Sequence, residues 1–192
     1  MNIEVNVSHT QDRWTLDDIT ALFDGLFSEH YQTRLIRGGD EPLYRPATNE
    51  TAYHQVIFAR GYYASALHEI SHWCIAGKKR RQLEDYGYWY SPDGRDAQQQ
   101  AAFENAEIAP QALEYIFTHA CGRKFHVSVD NLAGDASVDR EAFQKKVMAR
   151  VERYECEGLP LRAKSFRHAL NAYYQQGLAR EVSIAQGLDM LL

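Results

Sequence analysis

The chain has 192 residues, of which 45% are hydrophobic and 24% are charged, and its formal net charge is −5. This composition is typical of a globular protein with a sizeable core, and it argues against the strongly basic surface of a non-specific nucleic-acid binder. No apolar run reaches the length of a membrane-spanning helix, and residues 1–7 lack the basic and apolar regions of a secretory signal. Three widely spaced cysteines predict reduced thiols and a cytoplasmic location rather than a disulfide framework.

The N-terminal part of the chain predicts one helix and a small sheet. Thr15 and Asp18 resemble a capping box, and a stripe of apolar residues follows them. Pro46 lies in a stretch without clear periodicity, which is therefore expected to be irregular. The predicted elements are a helix over 16–29, strands over 33–37 and 54–59, and an irregular segment over 43–53.

The remainder of the chain predicts mostly helices. Pro110 is expected to kink a helix or to begin a new segment. The predicted elements are helices over 63–76, 96–117, 138–157 and 160–176, a strand over 125–129, and a short helix or loose tail over 178–192. Lys78-Lys79-Arg80-Arg81 is interpreted as a solvated run that complements the end of the preceding helix, with docking of an acidic partner as the alternative.

Neither an internal repeat nor a linker interrupts the sequence, so residues 1–192 are predicted to form a single α+β domain. A small sheet is expected to pack against helices, with residues 1–14 and 178–192 peripheral. The residues expected in the core are Ile57, Phe58, Leu67, Ile70, Ile75, Leu113 and Ile116.

The motif His68-Glu69-Ile70-Ser71-His72 lies inside the predicted 63–76 helix. Residues four apart are neighbours on one side of a helix, so His68 and His72 can direct two imidazoles at one metal ion. Glu69 follows the first histidine and can contact a metal-bound water as a catalytic residue. The alternatives are a chance match or a pair of buried structural histidines.

A metal site of this kind needs a third ligand, and a carboxylate would complete either a zinc hydrolase site or a two-histidine, one-carboxylate iron site. Glu107 is the preferred candidate because it shares a stripe with Phe103 and Gln111 on a second predicted helix. Glu104 and Asp85 are the alternative metal ligands, and any of these acids could instead be exposed. The wider set of downstream carboxylates also includes Glu84 and Glu114.

Several long segments resemble the bacterial elongation factor P hydroxylases. The resemblance covers roughly residues 20–175 and is carried by five blocks of sequence. These are 33–36 with 40–42, Phe58 through Lys78, Tyr86-Gly87-Tyr88-Trp89-Tyr90, Pro92-Asp93-Gly94-Arg95-Asp96-Ala97-Gln98, and Pro110-Gln111-Ala112-Leu113.

This resemblance implies a fold similar to that of the bacterial endoribonuclease YbeY, with a zincin-like metal-site helix. It also implies addition of a hydroxyl group to the β-lysylated lysine of elongation factor P, which would be the partner. The ribonuclease uses three histidines in its motif, whereas here Gly77-Lys78-Lys79-Arg80-Arg81 follows His72 with no third histidine nearby, so a carboxylate fits better. Fe(II) with O₂ as co-substrate is therefore the expected cofactor chemistry, and Zn is the alternative. No direct nucleic-acid or membrane partner is expected.

The expected substrate side chain carries two amines, which carboxylates and aromatic faces could hold. The candidate substrate-binding residues are Tyr62, Tyr88, Trp89, Asp93 and Asp96. The sequence is also compatible with two other functions. One is a zinc hydrolase, either a metalloprotease or an endoribonuclease, with Glu69 as general base, and the other is a non-catalytic module with a structural metal.

Overall fold

A computed structural model describes residues 14–84, 94–129 and 139–192. The described elements are helix α1 (Leu16–Phe27), strands β1 (Thr33–Arg37), β2 (Leu43–Arg45) and β3 (His54–Phe58), and helices α2 (Tyr63–Ile75), α3 (Ala97–Ala120), α4 (Arg140–Glu157), α5 (Leu161–Leu170) and α6 (Arg180–Leu188). A short 3₁₀ turn spans Arg80–Gln82, and a π-helical turn at Asn171–Gln175 follows α5 directly. This mixture of helices with one small sheet confirms the α+β class.

The sheet has three strands in the order β1-β3-β2, with β1 parallel and β2 antiparallel to β3. Successive residues of a strand point to opposite faces, so Val56 and Phe58 enter the core. Ile57, expected in the core, is only half-buried because it lies on the opposite face. Strand β2 was not expected, because its three residues lie between two prolines and are ordered by pairing with β3.

Helix α1 begins as its sequence predicts and anchors an aromatic cluster in the core. The Thr15 side chain accepts a hydrogen bond from the Asp18 amide and caps the first turn. Phe23 and Phe27 pack against Trp73 of α2, with ring centroids 5.1 and 4.7 Å away. Edge-on and tilted ring contacts of this kind fix the orientation of α2 relative to α1.

Helix α3 runs unbroken from Ala97 to Ala120 with Pro110 inside it, so of the two alternatives predicted for this proline, a kink or a new segment, the new segment does not occur. Pro110 and its neighbours Ala112 and Leu113 are all buried. Packing of this stretch against α2, α4 and α5 offsets the loss of one backbone hydrogen bond at the proline.

The predicted strand over 125–129 is also wrong. Val127 and Val129 are buried, as an alternating pattern implies, but no neighbouring strand pairs with them among the described residues. Instead, the side-chain amide of Gln111 accepts a hydrogen bond from the Ser128 N–H at 3.0 Å and donates one to the Ser128 carbonyl at 2.6 Å. One side chain therefore satisfies the backbone groups that a strand partner would otherwise bind.

The C-terminal helix α6 packs on α1 and α5. A Cβ atom at Gly187 would lie 2.7 Å from Leu26 Cδ2, so the absence of a side chain permits this close approach. Of the residues expected in the core, Phe58, Leu67, Ile70, Leu113 and Ile116 are buried, whereas Ile75 at the end of α2 is half-buried like Ile57. Within the described ranges no helix is both long and apolar enough to cross a membrane.

Candidate metal centre

Two imidazoles converge on the side of α2 that faces α3. His68 and His72 are one helical turn apart, and their Nε2 atoms lie 3.1 Å from each other. The ring centroids are 4.7 Å apart with the planes inclined at 72°. The side chain of His72 is 8% exposed, whereas that of His68 is 25% exposed, so the pair is accessible to solvent on the His68 side.

Glu107 of α3 brings a carboxylate to the same point, and only 2% of its side chain is exposed. Its Oε2 atom lies 3.5 Å from His68 Nε2, and its Oε1 atom lies 3.2 Å from His72 Nε2. Gln111, one turn further along α3, donates a 3.3 Å hydrogen bond to Oε2. Oε1 is buried without a hydrogen bond of good geometry from any described residue.

These three side chains form a group whose ligand atoms all lie within 4.8 Å of one another. Burial alone would raise the pKa of Glu107, but the imidazoles of His72 and His68 outweigh it and lower that pKa to about 2. Burial likewise opposes a charge on His68, yet the carboxylates of Glu107 and Glu114 raise its pKa to about 10. Without a metal, a proton supplies the positive charge that balances the carboxylates.

Glu114 lies one helical turn beyond Gln111 and contacts the other face of His68. Its Oε2 atom is 2.8 Å from His68 Nδ1. In the neutral imidazole, a carboxylate at this distance favours the tautomer with the proton on Nδ1, which leaves the lone pair of Nε2 directed at His72 and Glu107. The sequence carried a signal for this contact, because Glu107, Gln111 and Glu114 recur at spacings of four and three on one helix face.

Glu69 is half-buried beside this group. Burial raises its pKa, the imidazoles of His68 and His72 oppose that change, and the carboxylates of Glu107 and Glu114 add to it. The net result is a carboxyl group that holds its proton more tightly than an exposed glutamate does. Such a group is suited to exchange a proton or to bind a cation.

The other residues singled out from the sequence lie in different surroundings. Glu104 is 3.6 Å from Lys146 Nζ and accepts a hydrogen bond from Gln100, and it is not a member of the His68, His72 and Glu107 group. Tyr62 is 60% exposed at the start of α2. Asp96 caps α3 by accepting a hydrogen bond from the Gln99 amide. Asp85, Tyr88, Trp89 and Asp93 lie outside the described residues.

The donor set of two imidazole nitrogens and one carboxylate suits a divalent first-row transition metal. Two observations agree with this assignment: the Nε2 atoms of His68 and His72 and the Glu107 carboxylate all meet at one point, and Glu107 Oε1 is buried without a good hydrogen bond. A cation among these atoms would satisfy all three at once. The residues present therefore fit a metal ion, and the same donor set serves Fe(II) and Zn²⁺.

Comparison with known proteins gave two matches that cover most of the chain. The family model for elongation factor P hydroxylase matches residues 22–184. A protein from Haemophilus influenzae named elongation factor P lysine hydroxylase is 52% identical over 159 residues, which cover 83% of this chain and 89% of that protein. Both matches include the α2 and α3 segments that carry His68, His72 and Glu107.

Proposed function

Since the chain belongs to the elongation factor P hydroxylase family, we propose that it hydroxylates the β-lysylated lysine of elongation factor P, with O₂ as co-substrate and Fe(II) as the metal. In this proposal His68, His72 and Glu107 are the metal ligands. The reaction would take place in the cytoplasm on a protein substrate, without direct contact to nucleic acid or membrane.

The observation that carries the proposal is the His68, His72 and Glu107 group, because its geometry leaves one side accessible. Three protein ligands leave coordination positions free for other molecules, and the partly exposed His68 marks the side from which they can approach. Glu107 and His72 close the opposite side. This arrangement supports a reaction on a long side chain that enters from solvent.

When bound, Fe(II) would supply the activation of O₂ that attack on an unactivated C–H bond requires, since no amino-acid side chain provides it. The surrounding protein residues orient the ligand side chains and balance the charge around that centre. Glu114 holds His68 in the tautomer that directs Nε2 inward. Gln111 fixes the Glu107 carboxylate by its hydrogen bond to Oε2.

Glu69 is proposed to act on the substrate rather than on the metal. It is half-buried, and its pKa is raised by burial. An approaching substrate ammonium would favour the ionised carboxylate, so an amine and Glu69 would stabilise each other in this desolvated position. Tyr62 and Asp96, together with Tyr88, Trp89 and Asp93, stay proposed as further substrate contacts.

The competing function is a zinc hydrolase, because Glu69 directly follows a ligand histidine and could activate a metal-bound water. The two functions differ in the metal required and in the product. Insertion of one oxygen atom from O₂ consumes two electrons and two protons and releases one water, so the hydroxylase assay needs an external reductant. A hydrolase needs neither O₂ nor a reductant.

The test uses metal-free full-length protein reloaded anaerobically with Fe(II) or Zn²⁺. Each form is mixed with β-lysylated elongation factor P, a chemical reductant and air, and the substrate is analysed by peptide mass spectrometry. The proposal expects the mass of one added oxygen on the modified lysine with Fe(II) only. Unmodified elongation factor P and an anaerobic reaction are the controls. Peptide or RNA cleavage by the zinc form, with no oxygen added by the iron form, would establish the hydrolase instead.

A further inference from the structure

A cavity of about 640 Å³ lies at the C-terminal end of α2, apart from the candidate metal ligands. Residues of α2, α3, α4 and the start of α5 line it, together with the segment after α2. Its lining includes four basic residues, Lys78, Arg81, Arg150 and Arg162, whereas the described lining residues include no acid. We call this cavity the arginine cleft.

The guanidinium groups of the arginine cleft are held in place by aromatic rings and backbone carbonyls. Arg150 lies 4.3 Å over the ring of Tyr154, and Arg81 lies 5.6 Å from the ring centroid of Tyr31. Arg162, which is 9% exposed, donates hydrogen bonds to the carbonyls of Cys74 and Ala76. These contacts orient the guanidinium groups, and those of Arg81 and Arg150 bring no full negative charge to them.

Two of the arginines retain buried hydrogen-bond donors. The Nε atoms of Arg81 and Arg150 are buried and have no hydrogen-bond partner among the described residues. Neither residue forms an ion pair with a described acid. A buried donor on a charged group is costly when it is unsatisfied, and an anion in the cleft would balance the charge of both guanidinium groups.

The start of α5 adds to the positive potential of the same cavity. Pro160, Leu161 and Arg162 line the arginine cleft, and no side chain caps this helix. The first amide groups of a helix carry a partial positive charge that favours anions. The backbone and the side chains therefore attract the same class of ligand.

We propose that the arginine cleft binds an oxyanion, a carboxylate or phosphate group, next to the metal centre. Ile75, which lines the cleft, lies about one helical turn after His72 on α2, and Ala76, also in the lining, directly follows the helix. Two sources can present this chemistry: an acidic side chain of the protein substrate or a free small anion. The first source rests on the proposed function, because an acidic group anchored here would hold the substrate beside the histidines.

The oxyanion site itself is tested by isothermal titration of the metal-free full-length protein with citrate and with inorganic phosphate. Arg150→Gln and Arg81→Gln each remove one charged donor and are expected to weaken binding by about tenfold or more. Arg153→Gln is the matched control, because Arg153 lies on α4 like Arg150 but is exposed and pairs with Glu157. Circular dichroism melts establish that each variant is folded, and Arg150→Lys, which keeps the charge but loses the planar fork, should bind with intermediate affinity.

The same variants are titrated with β-lysylated elongation factor P under anaerobic conditions, so that binding is measured without turnover. If β-lysylated elongation factor P binds the Arg150→Gln variant more weakly than the parent, and phosphate competes with its binding to the parent, an acidic side chain of elongation factor P is the occupant. Loss of small-anion binding with unchanged binding of elongation factor P identifies a free anion. Either result supports the site whether or not hydroxylation occurs. Undetectable binding of both anions by the parent protein, or equal binding by parent and both arginine variants, would overturn it.

Discussion

His68 Nδ1 and Glu114 Oε2 lie 2.8 Å apart, and this contact joins α2 to α3 on the side of His68 opposite the candidate metal ligands. When the imidazole is neutral, the ring nitrogen bonded to a carboxylate keeps its proton, so the second ring nitrogen presents a lone pair to a metal. Glu107 and Glu114 therefore contact opposite nitrogens of one imidazole. One carboxylate is placed to bind the metal, and the other is placed to orient a ligand.

Replacing Glu114 with alanine is expected to weaken metal affinity by about 10- to 100-fold without abolishing it, because His68 loses its orienting partner but no ligand is removed. Glu114→Gln should have a smaller effect, since its amide oxygen can still accept a hydrogen bond from Nδ1–H. Competition with a chromophoric chelator measures both affinities. Equal affinities for the parent protein and Glu114→Ala would contradict a positioning role.

Glu107→Ala is expected to lose both bound metal and hydroxylation activity, whereas Glu69→Ala is expected to lose activity alone. Removing Glu107 takes away the only carboxylate within the group of three ligand atoms found among the described residues, so metal and hydroxylation should be lost together. Removing Glu69 should leave stoichiometric metal bound while hydroxylation falls by at least about tenfold. Metal content by mass spectrometry, measured beside turnover, separates the two variants. Iron retained at full occupancy in Glu107→Ala would contradict its assignment as a ligand.

Metal affinity is expected to increase with pH. The neighbouring carboxylates raise the pKa of His68 to about 10, so its imidazole is protonated at neutral pH in the metal-free protein. A metal must displace that proton, whereas Glu107, with a pKa lowered to about 2, is already ionised. Apparent affinity for Zn²⁺ should therefore increase by about tenfold per pH unit between pH 6 and 8.

Calorimetry in buffers of different ionisation enthalpy provides an independent measure of this proton release. About one proton should be released per metal bound. Affinity that does not change with pH would show that His68 is already neutral in the metal-free protein. Glu114→Gln should show a shallower dependence, because a neutral amide supports the imidazolium less than a carboxylate does.

Capping residues, apolar periodicity and strand propensity predicted those helices and strands whose formation depends on the residues within them. The Thr15 cap, the apolar stripe of α1 and the β-prone run of β3 led to nearly correct boundaries. Two errors in the predicted elements each involve a distant partner: β2 pairs with β3, and Gln111 binds the backbone at Ser128. Packing likewise sustains α3 through Pro110, where a new segment was one of two expectations. Propensity within a short window contains no information about such partners.

The candidate site was predictable to the extent that it follows helix periodicity. A spacing of four places His68 and His72 together, and the stripe that contains Gln111 favours Glu107 over Glu104. The structure brings Glu107 to the histidines and places Glu104 near Lys146, while the role of Glu107 as a ligand stays a prediction. The arginine cleft had only a partial signal: the run Lys78-Lys79-Arg80-Arg81 supplies two of its basic residues, but Arg150 and Arg162 come from separate segments of the chain.

Asp24→Asn is expected to stabilise the protein at neutral pH. Asp24 Oδ1 accepts a 2.8 Å hydrogen bond from the Leu35 amide and thereby links α1 to β1. Burial raises the pKa of Asp24, while the Leu35 hydrogen bond and the Arg34 charge only partly oppose it. An asparagine oxygen can accept the same hydrogen bond without a buried charge, so the gain should be on the order of 1 kcal/mol or less.

The pH dependence of this gain has a definite sign. A carboxyl group whose folded-state pKa is raised stabilises the fold below its unfolded-state pKa, and that contribution is lost as pH increases through the folded-state pKa. The advantage of Asp24→Asn in the free energy of urea unfolding should therefore be largest near pH 7 and should disappear towards pH 3.8, the ordinary pKa of aspartate.

Asp17→Asn, an exposed change in the first turn of the same helix, should instead be slightly destabilising at pH 7, because it removes a charge that favours the helix N-terminus. Asp24→Ala should be destabilising at every pH, since it leaves the Leu35 amide without its acceptor. A parent protein as stable as Asp24→Asn at pH 7 would show that the ionised Asp24 carboxylate carries no net cost in the folded state.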